Sequence, residues 1–137
     1  MKELQKGIID EYKNTAALVA VVSNFYYYSD PAQERSATPE FPFCAFRIIN
    51  SEPSWVMGKD RLESLDVRFH IVSDETSSVE VSDIFKELID CFDFAELTVS
   101  GYNTIYCKRI FNIPDRLDTN PKTWQYTVDY RILLEEQ

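Results

Sequence analysis

Glycine, histidine and cysteine are scarce in this chain of 137 residues, and each shortage removes a class of chemistry. A phosphate cradle needs several close glycines so that backbone can approach the ligand. Gly7, Gly58 and Gly101 stand far apart, so neither a P-loop nor a dinucleotide-binding turn can be built. Cys44, Cys91 and Cys107 form no C-x-x-C pair, and His70 is the only imidazole. The four convergent ligands of a zinc site are therefore missing, and no metal or cofactor is expected. Each cysteine lies in an apolar or alternating run, where a free thiol behaves as a small hydrophobe. Cys44 on a strand beside His70 is the one nucleophile–base arrangement to consider. His70 falls among the polar positions of its strand, so no catalytic residue is assigned and no enzyme is expected.

Long apolar runs are also absent. No stretch of 18 apolar residues exists, and Met1–Lys6 is amphipathic without an apolar h-region, so neither a membrane span nor a secretory signal is expected. Free cysteines fit folding in a reducing cytoplasm. Basic clusters stop at the pair Lys108–Arg109, within 14 basic and 23 acidic residues and a net charge of -9. Counterion release needs a concentrated positive patch, so sequence-specific nucleic-acid binding is not expected.

What is present is apolar and aromatic: 45% hydrophobic residues, with eight Tyr and nine Phe. That composition suits an ordered, strand-rich body, and the length suits one domain, 1–137, able to bury roughly two-thirds of its unfolded-chain surface. Leu4, Ile8, Ile9, Tyr12 and Ala16 recur at helical spacing, marking an amphipathic first helix. Asn14–Thr15 can cap a further turn, and Ala16–Val22 reads either as a short buried helix or as a strand, the favoured reading being a short helix leading to a strand at Phe25–Tyr28. Ser29–Pro42, with three prolines, reads as an exposed loop. Phe43–Asn50 reads as a strand closed by the turn signal Ser51–Ser54.

Leu65, Val67, Phe69 and Ile71 alternate with Asp66, Arg68 and His70, which predicts a strand with one buried face, antiparallel to its predecessor. Ser77 and Glu80 have capping-box spacing, and Val81, Ile84, Phe85, Leu88, Ile89 and Phe92 share a helical face behind them. Leu97–Ser100 and Thr104–Asn112 flank Gly101–Asn103 as a hairpin, and Pro114–Pro121 reads as a polar loop. Trp124, Tyr126, Val128, Tyr130, Ile132 and Leu134 alternate along a closing strand. Hairpins between the helices, rather than βαβ units, predict an α+β fold: an antiparallel β-sheet with two main helices packed on one face.

The remaining candidates are surfaces. Trp55, Val56 and Met57 sit between a turn and the charged Gly58–Arg61, where a hairpin tip cannot reach its own core. They are the candidate subunit-interface residues, the other reading being that the tip folds back over the sheet. Tyr26–Tyr28 and the Tyr126/Tyr130 pair combine apolar bodies with polar tips, suited to a wet interface or a sheet edge. Arg61, Arg68, Arg109, Arg116 and Arg131 could form an anion site if they converged, but they lie on different elements and read more simply as cross-strand partners of Asp and Glu, and the sequence does not decide between the two. Carboxylate pairs such as Asp90 with Asp93, or Glu135 with Glu136, read as solvated surface. A small-molecule module would instead need a deep pocket lined by Arg68, His70 and tyrosines.

The order and pattern of these segments resemble the tail-completion, or tail-terminator, proteins of tailed bacteriophages and prophages. The resemblance runs from the amphipathic start Leu4–Tyr12 through Ala16–Val22 and Phe25–Tyr28. It continues through Pro39-Glu40-Phe41-Pro42-Phe43, the strand Leu65–Ile71 and the helix Val79–Phe92 to the closing Trp124–Ile132. It departs in having no glycine between Ser29 and Phe41. The resemblance implies a minor tail protein of the virion that forms a homo-oligomeric, commonly hexameric ring. Such a ring closes the tail tube and joins it to the head-side connector, with the tail-tube protein and a neck protein as partners. A neck or head-completion protein is the alternative of similar size. In the terminator ring the -9 charge of each copy would add up, and an acidic lumen would repel DNA phosphates rather than bind them.

Overall fold

The computed structural model describes residues 1–27, 40–55, 61–117 and 123–137. The chain runs α1 (Lys2–Lys13), α2 (Ala16–Val21), β1 (Asn24–Tyr27), β2 (Phe43–Trp55), β3 (Arg61–Ser73), α3 (Val79–Phe92), β4 (Tyr102–Leu117) and β5 (Thr123–Glu136). The five strands form one sheet in the order β1-β2-β3-β5-β4. All neighbours are antiparallel except β1 and β2, which run parallel in the register Phe25 to Cys44. Residues 28–42 between them supply the dozen or more positions that a parallel return requires.

Alternation decides which side chains meet the helices. On β3, Leu65, Val67, Phe69 and Ile71 are buried, and on β5 so are Val128, Tyr130, Ile132 and Leu134. The register sets Phe69 between Phe46 and Val128, so these residues share one face. Leu4, Ile8 and Tyr12 of α1, Leu18 of α2, and Val81, Ile84, Leu88 and Phe92 of α3 close over it. At the centre Phe69 contacts Phe46, Phe92 and Tyr130, with ring centroids 5.7, 5.0 and 5.6 Å away. Burying each such side chain contributes roughly 1.5–3 kcal/mol, so this cluster dominates the fold's stability.

Close approach replaces side-chain bulk at one point of this packing. A Cβ on Gly7 would stand 2.7 Å from the carbonyl oxygen of Thr98, so α1 lies against the segment before β4 only because residue 7 has none. Thr15 begins α2 without capping it; its hydroxyl donates to the Glu11 carbonyl at 2.9 Å. Glu80 likewise forms no capping box, because its carboxylate accepts from Ser73 Oγ at 2.7 Å and the Val79 N–H donates to Ser77 Oγ instead. Ala16 is exposed and stays out of the apolar stripe of α1, whose buried residues are Leu4, Gly7, Ile8 and Tyr12.

Three expected boundaries move. Ser51–Ser54 is not a turn: β2 continues to Trp55, with Pro53 opposite Glu63. Pro114 does not open a loop either, since β4 runs through it, opposite Tyr126, and on to Leu117. Both prolines stand where no strand pairs on the outer side among the described residues, and an edge tolerates a residue without an N–H. Leu97–Ser100 is not a strand; only Val99 bridges to Tyr102, around Gly101 at φ 83°.

Candidate functional site

The chemical candidates disperse. Cys44 lies on the helix-covered face, and its neighbour Ala45 is the residue opposite His70, so alternation turns the thiol and the imidazole to opposite faces. All three cysteines are free and buried. Burial pushes the Cys44 thiol well up, Cys91 up to about 11 and Cys107 up to about 12. Protonated, enclosed thiols are poor nucleophiles. His70 is held below the ordinary imidazole range, first by burial and then by the charges of Arg68 and Arg47.

The five candidate arginines make separate contacts. On the open face Arg68 makes a two-pronged contact to Asp129, at 2.8 and 3.0 Å, and its directly opposite register makes this a cross-strand pair. Arg131 reaches Asp66 in the same way, at 2.9 and 3.4 Å. Arg61 bridges Glu63 and Glu136 at 3.1 and 2.7 Å. Arg109 turns to the other face, towards Asp93 at 3.4 Å, with its guanidinium 5.8 Å from the Phe85 ring centroid. Arg116 stands over Trp124 at 5.0 Å. These contacts are cross-strand and helix-to-sheet fastenings, with no shared anion site among them.

Asp93 separates from Asp90 by the same logic. It accepts a 2.6 Å hydrogen bond from the buried hydroxyl of Tyr130, whose pKa is raised by burial and then by that carboxylate. Asp90 is exposed. Tyr130 is therefore core, and Tyr126 stacks on Phe85 with centroids 4.0 Å apart, so the expected wet pair packs under α3. Tyr26 stacks on Phe43 and Tyr27 packs edge-on to Phe46; Tyr28 lies outside the described residues. An open groove of about 560 Å³ lies between the residues from Phe94 to Tyr106 and Gln137. Arg68 and His70 take no part in it.

Of the expected interface residues, Trp55 ends β2 opposite Arg61, while Val56 and Met57 lie outside the described residues. The structure presents a different apolar surface. Ile105, Ile110, Phe111 and Ile113, all on β4, are 49%, 41%, 47% and 47% exposed. Beside the start of this strand Phe94 is 75% exposed at φ 57°, held by its N–H donating to the Cys107 carbonyl at 2.8 Å. A bulky residue in that conformation is strained. The sequence carried one signal for the edge: a proline and the pair Lys108–Arg109 inside a strand pattern are the usual guards of an unpaired strand. The acidic surface concentrates elsewhere, along α3, where Asp83 and Asp90 are exposed and Glu80 and Glu87 half-buried. Among the described residues no helix is long and apolar enough to cross a membrane.

The chain is an α+β fold with one antiparallel-dominated sheet and helices over one face; among its described residues Asp74, Glu75 and Glu80 bring three carboxylates within 4.8 Å of one another, a mostly exposed acidic grouping of a common kind. No family model matches the sequence, and no curated protein matches it. Among solved structures, the fold is similar to a chain in the virion of a native gene transfer agent (GTA) particle. That likeness has a TM-score of 0.74 at 14% identity and covers 96% of this chain and 94% of the other. At that identity the likeness establishes a shared fold.

Proposed function

We propose that this chain is a structural subunit of a phage-like virion and acts as a tail terminator. In this role copies of the chain assemble into a ring, hexameric in the family it resembles, that closes the tail tube and meets the head-side connector. The observation that carries the proposal is the fold likeness to a virion chain over nearly the whole of both chains. The exposed apolar residues of β4 support it, because a subunit that works alone has little use for them. Buried, protonated thiols and individually paired arginines favour a structural role over a catalytic one. The net charge of -9 is multiplied in a ring, and an acidic lumen would pass DNA without gripping it.

The segment joining β2 to β3, with Trp55, Val56 and Met57, is a further proposed contact between neighbouring subunits. Native mass spectrometry of the protein, alone and mixed with the tail-tube protein, tests both statements. A closed oligomer seated on the tube is expected, and Trp55→Ala should shift it towards monomer without lowering the melting temperature. Monomer under both conditions would remove the terminator proposal, and binding to the connector but never to the tube would replace it with a neck protein. Unchanged assembly of Trp55→Ala would remove only the tip.

A further inference from the structure

The sheet has two edges that differ in charge and sit at opposite ends of its strand order. On one side β4 is the last strand, and the segment after α3 covers only its beginning: Phe94 donates to Cys107, and Thr104 Oγ1 donates to the Leu97 carbonyl at 2.8 Å. From Lys108 onwards no strand pairs with its outer side among the described residues, and residues 110–115 are exposed without interruption. On the other side β1 pairs with β2 only over Phe43–Phe46, so the rest of β2 to Trp55 has no outer neighbour among the described residues. There Ile49 is 38% exposed, and Asn50, Ser51, Glu52 and Pro53 are exposed beside it.

We propose that the outer edge of β4, from Lys108 to Asp115, docks on the outer edge of β2 in a second copy of this chain, continuing the sheet from subunit to subunit. The inference rests on the ring reading above and supplies its contact. Charge selects the partner. β4 holds three basic residues and one acidic residue, whereas β2 carries only Arg47 and Glu52 and is balanced, so β4 meets less like charge on β2 than on a second β4.

Lys108 makes the argument local. It stands opposite Arg131 on β5, a like charge whose guanidinium is already engaged by Asp66, and has no ion partner of its own among the described residues. A carboxylate from beyond the edge would relieve that juxtaposition. Glu52 on the other edge has the required placement. The register puts Asp66, Arg131 and Lys108 on the open face, and Glu52, opposite Ser64 and two positions from Asn50 and Asp66, faces the same way. Both edges are bulged, at Ile49 and at Ile110, and both bulges expose an isoleucine.

Joining unlike edges is a heterologous contact, which closes into rings when the rotation permits. Pairing β4 with β4 across a two-fold axis would instead bring two basic edges together and stop at a dimer. The experiment uses the full chain, with native mass spectrometry and light scattering for assembly and circular dichroism for folding. Phe111→Lys with Ile113→Lys, both on exposed side chains, should raise the concentration needed for assembly by at least about tenfold. The fold should be retained.

Lys108→Glu and Glu52→Lys should each raise that concentration by about two- to fivefold, and combining them should restore it. A ring that survives the Phe111/Ile113 change overturns the edge contact and leaves the ring reading standing. Single reversals that weaken assembly without mutual rescue, or a dimer indifferent to both, overturn the pairing with β2. Wild-type protein that stays monomeric alone and with the tube protein overturns the ring reading itself and this contact with it.

Discussion

β4 and β5 form one hairpin and are both rich in apolar residues, yet their side chains meet opposite fates. Val128, Tyr130, Ile132 and Leu134 of β5 are essentially inaccessible, whereas on β4, among the described side chains, Cys107 alone reaches that state and Ile105, Ile110, Phe111 and Ile113 remain open to solvent. Composition does not separate the two strands. Position does: β5 lies between β3 and β4 with α3 above it, while β4 ends the sheet. The lesson is that apolar content states how much surface a strand wants covered, and the strand order states whether its own chain covers it.

The largest expected effect tests the covered member. Ile132→Ala removes a side chain that is 1% exposed, between Leu65 and Cys107 in the register, and the surrounding strands cannot collapse into the space. A loss of about 2–5 kcal/mol is expected, read from the midpoint of urea unfolding. A loss under about 1 kcal/mol would break the comparison, because the covered face would then not be what holds the fold.

Gly7→Ala comes next and asks how tightly the cover fits. Alanine favours a helix by about 1 kcal/mol over glycine, so an unobstructed position would be stabilised. Here the added Cβ meets the Thr98 carbonyl oxygen at 2.7 Å, and backbone cannot swing aside as a side-chain tip can. A net loss of about 1–3 kcal/mol is expected, again by chemical unfolding. A more stable variant would show that α1 has slack against the segment preceding β4.

How much of this was legible before the structure follows the same division. The bounds of α3 and the alternating faces of β3 and β5 were readable, because burial by a helix and a half-buried strand each impose a period on the side chains. Pro53 and Pro114 misled, since proline marks turns and edges alike, and only pairing tells them apart. The parallel return of β1 beside β2 leaves no local trace, being a matter of which strands become neighbours. For that reason the apolar edge was only half legible: Pro114 and Lys108–Arg109 hinted at an unpaired strand, but the exposure of Ile105–Ile113 depends on which strands neighbour it in the sheet. The tip at Trp55 was reachable from its neighbours alone, which is why it, and not β4, stood out in the sequence.

The smallest expected effect on stability is the most discriminating. Ile113→Ala deletes the same atoms as Ile132→Ala, from the same hairpin, but from a side chain 47% exposed on the edge strand, opposite Thr127. In the isolated subunit the change should lie within about 0.5 kcal/mol, since little of the lost surface was withdrawn from water in the first place. Measured on the assembled protein, the same substitution should cost more than it does in the monomer, because assembly is where that side chain would leave water. The unfolding midpoint at low protein concentration and the dissociation midpoint of the oligomer give the two values from one preparation. Equal values would mean that Ile113 is as exposed in the assembly as outside it, and the apolar run on β4 would then need another explanation than contact between subunits.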